Sequence, residues 1–251
     1  MTASHKLSPP ERLRRLHDLL EEAYGPQHWW PAETPFEVIV GAYLTQNTSW
    51  IAAARSIANL RAADALTAQA IHELPIEQLK ALIRPSGFAT RKAPALKAFV
   101  AMLDSEYGGS LDALAATPTA SLRIRLLALP GVGSETADAI LLYALAHPVP
   151  VVDEYLRRIA VRHGLATPAA GHKGYKQLAD LVRAAFAADP GAAQVSLLNQ
   201  QHALVVAAGK AHCRRFPECK GCPLHSDLPF GIPASQDIPN LFSKPGVRFR
   251  R

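Results

Sequence analysis

The three cysteines of the chain lie within a single ten-residue segment. They are Cys213, Cys219 and Cys222, separated by five residues and then by two. Thiols stay reduced in a cytosolic chain, so clustered cysteines there are typical of a metal site rather than of disulfides. The spacing therefore predicts that this segment binds a metal.

A glycine-rich loop lies between two apolar, helix-like runs in the segment LPGVGSETADAILLYALAHPVPVVDEY, residues 129–155. Gly131 and Gly133 flank Val132, and glycine permits positive φ and a close approach of the backbone. Ser134 is the predicted N-cap of the helix that follows. The amides of the loop and of the helix start can hold a phosphate, although many ordinary helix pairs also turn on glycine.

Two acids stand at informative places in the same segment. Asp153 follows HPVPVV, where the apolar pattern would continue with a hydrophobe, and Glu135 stands at the start of the helix after the loop. Asp153 can serve as N-cap of the helix EYLRRIAVR, and Glu135 favours the positive end of its own helix. A carboxylate in such a place can also orient water or stabilise positive charge.

Helical periodicity dominates the chain and predicts the elements that must position these groups. The leucines of the first periodic run share one helical face. They are Leu13, Leu16, Leu19 and Leu20. A break between two helices is expected near residues 46–49, and Pro85 with Gly87 closes another helix. Alternating patterns are nearly absent and VPVV is too short to make a sheet, so the predicted fold class is all-α.

Composition bounds the kind of protein and its partners. The 251 residues are 49% hydrophobic, which is enough for one large domain or two small ones. The net charge of +6 favours nucleic acid as a partner, because neutralised phosphates release counterions; a generic basic surface is the alternative. The sequence lacks a long apolar run and an N-terminal signal core, so we expect no membrane association and a cytoplasmic location.

Three motifs follow one another along the chain: LTQNT at 44–48, the glycine loop with Asp153 after it, and the cysteine segment. In this order they resemble the helix–hairpin–helix (HhH-GPD) DNA glycosylase superfamily, which includes endonuclease III. The resemblance extends from Trp29 to Cys222. Within the superfamily, WWP followed by TPFEVIVGAYLTQNTSW is similar to the branch that removes alkylated purines such as 3-methyladenine.

The resemblance implies two helical lobes around a DNA-binding groove. Residues 30–146 would form a six-helix barrel with the helix–hairpin–helix motif. Residues 10–29 together with 147–225 would form the second lobe, which carries the metal loop. Residues 1–9 are expected to be a flexible tail and residues 226–251 an extended tail.

Asp153 matches the catalytic aspartate of the superfamily, at the mouth of the groove. A glycosylase breaks the bond between the base and C1′ of deoxyribose through a transition state that resembles an oxocarbenium ion, which a carboxylate stabilises. Glu135 occupies the position at which bifunctional members carry a lysine, whose amine attacks C1′ and leads to strand cleavage. A carboxylate cannot form that imine, so the resemblance implies a monofunctional enzyme with weak or no AP lyase activity.

The resemblance also implies residues that contact DNA. Gln46 matches a glutamine that enters the gap left by the flipped nucleotide, the alternative being a helix-breaking amide. Phe88 occupies the place of an apolar wedge between bases, the alternative being a core aromatic. The hairpin residues Gly131, Val132 and Gly133 would hold the DNA backbone.

Aromatic residues at matching positions line the base pocket in the alkylpurine branch, together with a proline. Here they are Trp29, Trp30, Pro31 and Trp50. An alkylated purine carries positive charge and indole faces attract cations, so the pocket and the substrate suit each other. Ordinary core packing is the alternative for these tryptophans.

The iron–sulfur loop of the superfamily carries four cysteines, and the fourth position falls here at Leu228, which cannot bind iron. Three hypotheses follow: a [4Fe–4S] cluster with a non-cysteine fourth ligand, a Cys₃His zinc site, or no metal. The cysteine spacing favours the cluster, with Asp227 preferred to His225 as the fourth ligand. Its role would be structural, to pin a basic loop that meets phosphates.

Three functions are therefore expected in this order. The first is a monofunctional base-excision repair glycosylase that removes alkylated purines from double-stranded damaged DNA, acting as a monomer in association with the nucleoid. The second is a bifunctional endonuclease III-type glycosylase and lyase for oxidised pyrimidines. The third is a non-catalytic binder of distorted or abasic DNA.

Overall fold

The computed structural model of the protein describes residues 7–27, 29–169, 171–189 and 191–229. Within these ranges the chain consists of helices, turns and loops without a strand, which confirms the predicted all-α class. The α-helices are α1 (Pro9–Tyr24), α2 (Pro35–Leu44), α3 (Trp50–Ala62), α4 (Ala68–Glu73), α5 (Ile76–Leu82), α6 (Ala89–Tyr107), α7 (Leu111–Ala115), α8 (Thr119–Leu127), α9 (Ser134–Ala139), α10 (Glu154–Arg162), α11 (Gly171–Ala185) and α12 (Ala192–Ala211). None of the helices in these ranges is both long and apolar enough to cross a membrane.

The chain divides into two compact units. The first, called here the central unit, comprises Trp30–His147 and contains α2 to α9. The second, called here the terminal unit, combines Met1–Trp29 with Pro148–Arg251 and contains α1 and α10 to α12.

Helix α2 is the buried helix of the central unit. Its sequence PFEVIVGAYL is apolar on all faces, and a helix of that kind is buried on all sides; every residue after Pro35 is buried. Helices α3 and α6 pack against it, as does a π-helical turn, Ile140–Ala144, that continues α9. The helix ends at Leu44 and α3 begins at Trp50, so the predicted break near residues 46–49 is confirmed.

In the terminal unit, α12 packs against α1 and α10, and α11 packs against the same two helices. Helices α10 and α12 approach each other closely at Gly209, because a Cβ there would fall 2.1 Å from Cδ1 and 2.7 Å from Cβ of Tyr155. Tyr155 lies in the first turn of α10, so this contact fixes the start of the helix that follows Asp153.

The predicted tails differ from the structure at their inner ends. Helix α1 begins at Pro9 with Ser8 as its N-cap, and the backbone N–H of Ser8 donates to Glu11 Oε2 at 2.7 Å. The last two residues of the tail predicted at 1–9 therefore belong to a helix start, because Ser8 and Glu11 form a capping box. At the other end, His225–Asp227 form a 3₁₀ turn, so 226 and 227 are not extended. Residues 1–6 and 230–251 lie outside the described residues.

Candidate functional site

The glycine loop joins α8 to α9 and turns at Gly131, whose φ is +76°. A Cβ at Gly131 would lie 3.3 Å from the Cβ of Ala95, so the loop packs closely on α6. Gly133 is the N-cap of α9, with φ −98° and no side-chain cap. The predicted N-cap Ser134 is wrong: Ser134 is already the first helical residue, and the backbone amides at this helix start have no side-chain partner from the cap.

The side chain of Gln46 is attached to this loop. Its Nε2 donates to the carbonyl of Gly131 at 3.0 Å and to Oγ1 of Thr136 at 2.9 Å. One amide thus bridges the two sides of the glycine turn, and it does so from the segment between α2 and α3. Thr136 was not singled out by the sequence pattern, since it is one polar residue in the first turn of an ordinary helix.

Phe88 is exposed, with 57% of its surface accessible, so the alternative of a core aromatic is wrong. Its φ is +51°, a left-handed conformation that costs a non-glycine residue about 1 kcal/mol or more. The surrounding segment holds it there: Ser86 is fully buried, and its backbone N–H donates to Oγ of Ser56 at 2.9 Å. An apolar ring is therefore presented to solvent on a fixed backbone.

Lys92 is a buried cation that the sequence analysis did not single out; only 3% of its surface is exposed. Its Nζ donates to the carbonyls of Leu44 and Ser86, each at 2.8 Å, and burial lowers the pKa of Lys92 to about 8. A signal was present, because Lys92 stands four and seven residues before the buried Leu96 and Phe99, on the apolar stripe of α6.

Two of the predicted pocket tryptophans meet in the central unit. Trp30 and Trp50 pack edge to face with centroids 5.9 Å apart, and Tyr143 joins them at 5.0 Å from Trp30. A Cβ at Gly41 would lie 3.1 Å from Cζ2 of Trp30, so the glycine lets the indole pack closely on α2. Trp30, Trp50 and Tyr143 are called here the aromatic group. Pro31, the residue after Trp30, is exposed.

Trp29 belongs instead to the terminal unit. Its ring packs edge to face on His202, with centroids 5.7 Å apart, and Nζ of Lys210 lies 5.3 Å from its centroid. The four predicted pocket residues are thus divided between two aromatic environments, one in each unit.

Asp153 is buried at the start of α10, where its Oδ1 accepts from the backbone N–H of Leu156 at 2.7 Å. The predicted N-cap role is therefore confirmed. The second oxygen, Oδ2, lies 3.7 Å from Nε2 of His202 on α12. His202 was missed because a single histidine in a long helix gives no local signal. In the other unit, Glu135 is half-buried in the first turn of α9.

The three cysteines line one pocket in the terminal unit. Its other lining residues are Ile159, Arg162, His163, Ala208, His212, Pro217, Leu224, His225 and Leu228. Burial raises the pKa of the Cys213 and Cys222 thiols, and Nη1 of Arg162 lies at hydrogen-bonding distance, 3.0 Å, from Sγ of Cys213. Among the described residues, no three Cys, His, Asp or Glu side chains are placed to hold a single metal ion.

Asp227, the preferred fourth ligand, is engaged elsewhere. Its Oδ2 accepts from Nη2 of Arg12 at 2.7 Å and lies 3.1 Å from Nδ1 of His163, and its side chain is buried. It does not line the cysteine pocket, whereas His225 does. A metal could therefore take Asp227 only at the cost of that buried pair, and the choice between Asp227 and His225 as fourth ligand stays a prediction.

The geometry can be compared with known proteins. The profile of the family described as HhH-GPD superfamily base excision DNA repair protein matches residues 40–184. A protein of Methanocaldococcus jannaschii that is named as a DNA repair glycosylase is 39% identical over 216 residues, which cover 85% of this chain and 94% of that protein.

Two solved structures resemble this one. The H. pylori 3-methyladenine DNA glycosylase MagIII, bound to 1,N6-ethenoadenine, has a TM-score of 0.68 at 29% identity, over 81% of this chain and 98% of its own. A trapped covalent intermediate of endonuclease III with DNA also has a TM-score of 0.68, at 22% identity, over 89% of this chain and 94% of its own. At that identity the second likeness concerns the fold alone.

Proposed function

This chain belongs to the HhH-GPD superfamily of base excision DNA repair proteins, and we propose that within it the chain is a monofunctional glycosylase for alkylated purines. The family and the relatives make it a DNA repair glycosylase; the choice of base and the absence of strand cleavage are inferred from the site. The aromatic group carries the choice of base, because two indoles and a phenol packed together suit a flat cation.

Asp153 supplies the catalytic charge. The hydrogen bond from Leu156 holds Oδ1, which fixes the carboxylate and leaves Oδ2 toward His202. A preorganised anion stabilises the positive charge that develops on the sugar and can orient the attacking water. An alkylated purine already carries positive charge and leaves readily, so one carboxylate is enough for the chemistry.

Glu135 supports base release without strand cleavage. The first turn of α9 presents a carboxylate, and no amine of α9 stands beside it in the sequence. Cleavage by β-elimination needs an amine that forms a Schiff base with C1′. The abasic site would therefore be left with its strand intact.

The central unit supplies the groups that open the duplex. The hairpin amides would hold a phosphate of the backbone, and Phe88 would enter the stack as a wedge, which is how apolar side chains kink DNA. Gln46 would leave its two hydrogen bonds on the hairpin to fill the gap beside the flipped nucleotide. The partner is double-stranded damaged DNA, engaged by a monomer.

The cysteine pocket fits a [4Fe–4S] cluster through its donor set. Cys213, Cys219 and Cys222 face one pocket with His225 as the fourth candidate, and each iron of a cluster takes its own thiolate or imidazole. Arg162 would remain as a hydrogen-bond donor to Cys213. When bound, the cluster would cross-link the loop that carries Arg214 and Arg215 and would take no part in base release.

One assay tests the proposal. The protein is incubated with duplexes that carry 3-methyladenine, thymine glycol or an abasic site, and strand breaks are measured with and without alkali. We expect breaks on the alkylated duplex only after alkali, and none on the thymine glycol duplex. The abasic duplex, which alkali breaks by itself, should not be cut by the protein without alkali. Borohydride trapping of a covalent adduct would contradict the monofunctional assignment, and release of thymine glycol alone would favour the endonuclease III-type activity.

A further inference from the structure

One buried side chain joins two loops of the central unit. The Gln46 loop, residues 45–49, follows Leu44, and the Phe88 loop, residues 84–88, includes Ser86. Nζ of Lys92 donates at 2.8 Å to the carbonyl of Leu44 and at 2.8 Å to the carbonyl of Ser86. Each accepting carbonyl therefore lies two residues before the side chain that the proposed function places in DNA.

Burial of this ammonium is costly, so its contacts need an explanation beyond packing. A buried charge is tolerated when hydrogen bonds replace its water, and the two carbonyls do that here. The carbonyl of Leu44 is one of the last of α2, a group that has no partner inside its own helix. A neutral apolar residue at position 92 would continue the stripe of Leu96 and Phe99 at lower cost.

Lys92 also contacts the wedge itself. Its Nζ lies 6.0 Å from the centroid of the Phe88 ring, within the range of a cation–π contact. Phe88 has left-handed φ, and the Phe88 loop is otherwise held through Ser86 and Ser56. The ammonium thus sets the position of the backbone on both sides and touches the ring that projects from it.

We propose that Lys92 is a positioning residue that fixes the spacing of the Gln46 loop and the Phe88 loop, so that both side chains enter the DNA stack at one lesion. The inference rests on the proposed function, because only a protein that opens the duplex needs two gap-filling side chains in register. It concerns binding of distorted DNA and not the bond that is broken.

The test is a double-mutant cycle of Lys92→Met and Phe88→Ala. The quantity measured is the ratio of dissociation constants for an undamaged duplex and for one with a tetrahydrofuran abasic analogue. Fluorescence of 2-aminopurine opposite the analogue reports unstacking in the same samples. Lys97→Met is the matched control, because Lys97 lies on the same helix and its Nζ donates to one carbonyl, that of His72, at 2.7 Å.

We expect Lys92→Met to lower this ratio of dissociation constants about tenfold when Phe88 is present. In the Phe88→Ala background it should lower the ratio by less than about twofold. Lys97→Met should leave the ratio within about twofold of the wild type. Equal effects of Lys92→Met in both backgrounds, or no effect in either, would overturn the inference, since a merely structural lysine acts independently of Phe88. Should Lys92→Met unfold, Lys92→Gln takes its place in the same cycle with the same criteria.

The failure of the proposed function can be distinguished from the failure of this inference. A wild-type protein that releases no alkylated purine contradicts the proposed choice of base. The cycle uses an analogue without a base, so its outcome does not depend on base release.

Discussion

Oδ2 of Asp153, the N-cap of α10, lies 3.7 Å from Nε2 of His202 on α12. Oδ1 of the same carboxylate is already held by the backbone N–H of Leu156 at 2.7 Å. The two oxygens therefore have different roles. Oδ1 caps the N-terminus of α10, and Oδ2 faces the imidazole of His202.

Asp153→Asn removes the negative charge of the side chain and keeps its ability to cap the helix. Asparagine caps helices about as well as aspartate, so the thermal unfolding temperature should stay near that of the wild type. Base release from the alkylated duplex should fall by about 100-fold or more, because the charge is lost. Asp153→Ala, the comparison, should also lose about 1 kcal/mol of stability. Full activity in Asp153→Asn would remove Asp153 from the mechanism.

His202→Gln tests whether the imidazole positions the carboxylate. We expect base release to fall by about tenfold, and we expect no further fall when the change is added to Asp153→Asn, because residues that act through one another are not additive. Single-turnover rates of the two single variants and of the double variant measure this. Fully additive losses would show that His202 acts independently of Asp153.

Gly41→Ala tests the aromatic group. The added Cβ would lie 3.1 Å from Cζ2 of Trp30, so the indole must shift by a few tenths of an ångström. Stability should change little, because alanine is favoured over glycine inside a helix by about 1 kcal/mol and offsets the crowding. We expect a raised KM for the alkylated duplex and a shift in tryptophan fluorescence. An unchanged KM together with a shifted emission would separate Trp30 from base binding.

Lys92 gives the free energy of unfolding a pH dependence. Burial lowers its pKa from 10.5 to about 8 in the folded chain, so between these values the unfolded chain binds a proton that the folded chain lacks. The free energy of unfolding contributed by this group therefore rises with pH in that window, by up to about 3 kcal/mol. Urea unfolding of the wild type and of Lys92→Met, at a pH of about 7.5 and about 9.5, measures how the difference in their free energies of unfolding changes with pH. A difference that does not vary with pH would contradict the lowered pKa.

Absorption tests the proposed cluster and its fourth ligand. We expect purified protein to absorb broadly at about 400 nm, the region of iron–sulfur charge transfer, and Cys213→Ser to lose this band. His225→Ala should make the band labile, whereas Asp227→Asn should keep it and lower stability instead, because Asp227 pairs with Arg12. A colourless protein that contains one zinc ion would contradict the proposed cluster and favour the Cys₃His zinc site.

Local sequence patterns predicted the features that depend on interactions within a few residues. The all-α class, the break after Leu44 and the cap at Asp153 follow from periodicity and capping preferences that act over a few residues. What they could not predict depends on partners far apart in the chain. Asp227 meets Arg12 across 215 residues, and that distant pair removes it from the cysteine pocket.

The local patterns also left out Lys92, a charged residue on an apolar stripe. Lysine is usually exposed to solvent, but Lys92 stands at the spacing of core residues, and that spacing agrees with its burial. Trp29 and Trp30 were grouped in one predicted pocket, although the family resemblance already placed a boundary between residues 29 and 30. The structure divides the chain into two units at that boundary.

Under the proposed function, the two hydrogen bonds of Gln46 on the hairpin would set a threshold for damage recognition. If Gln46 fills the gap in DNA, it must first give up its bonds to Gly131 and Thr136, and each such bond is worth about 1 kcal/mol. An intact base pair offers no vacant partner in exchange, whereas an orphaned base presents an unpaired edge. On this proposal, the resting position of one amide would disfavour the opening of undamaged DNA before any base reaches the aromatic group.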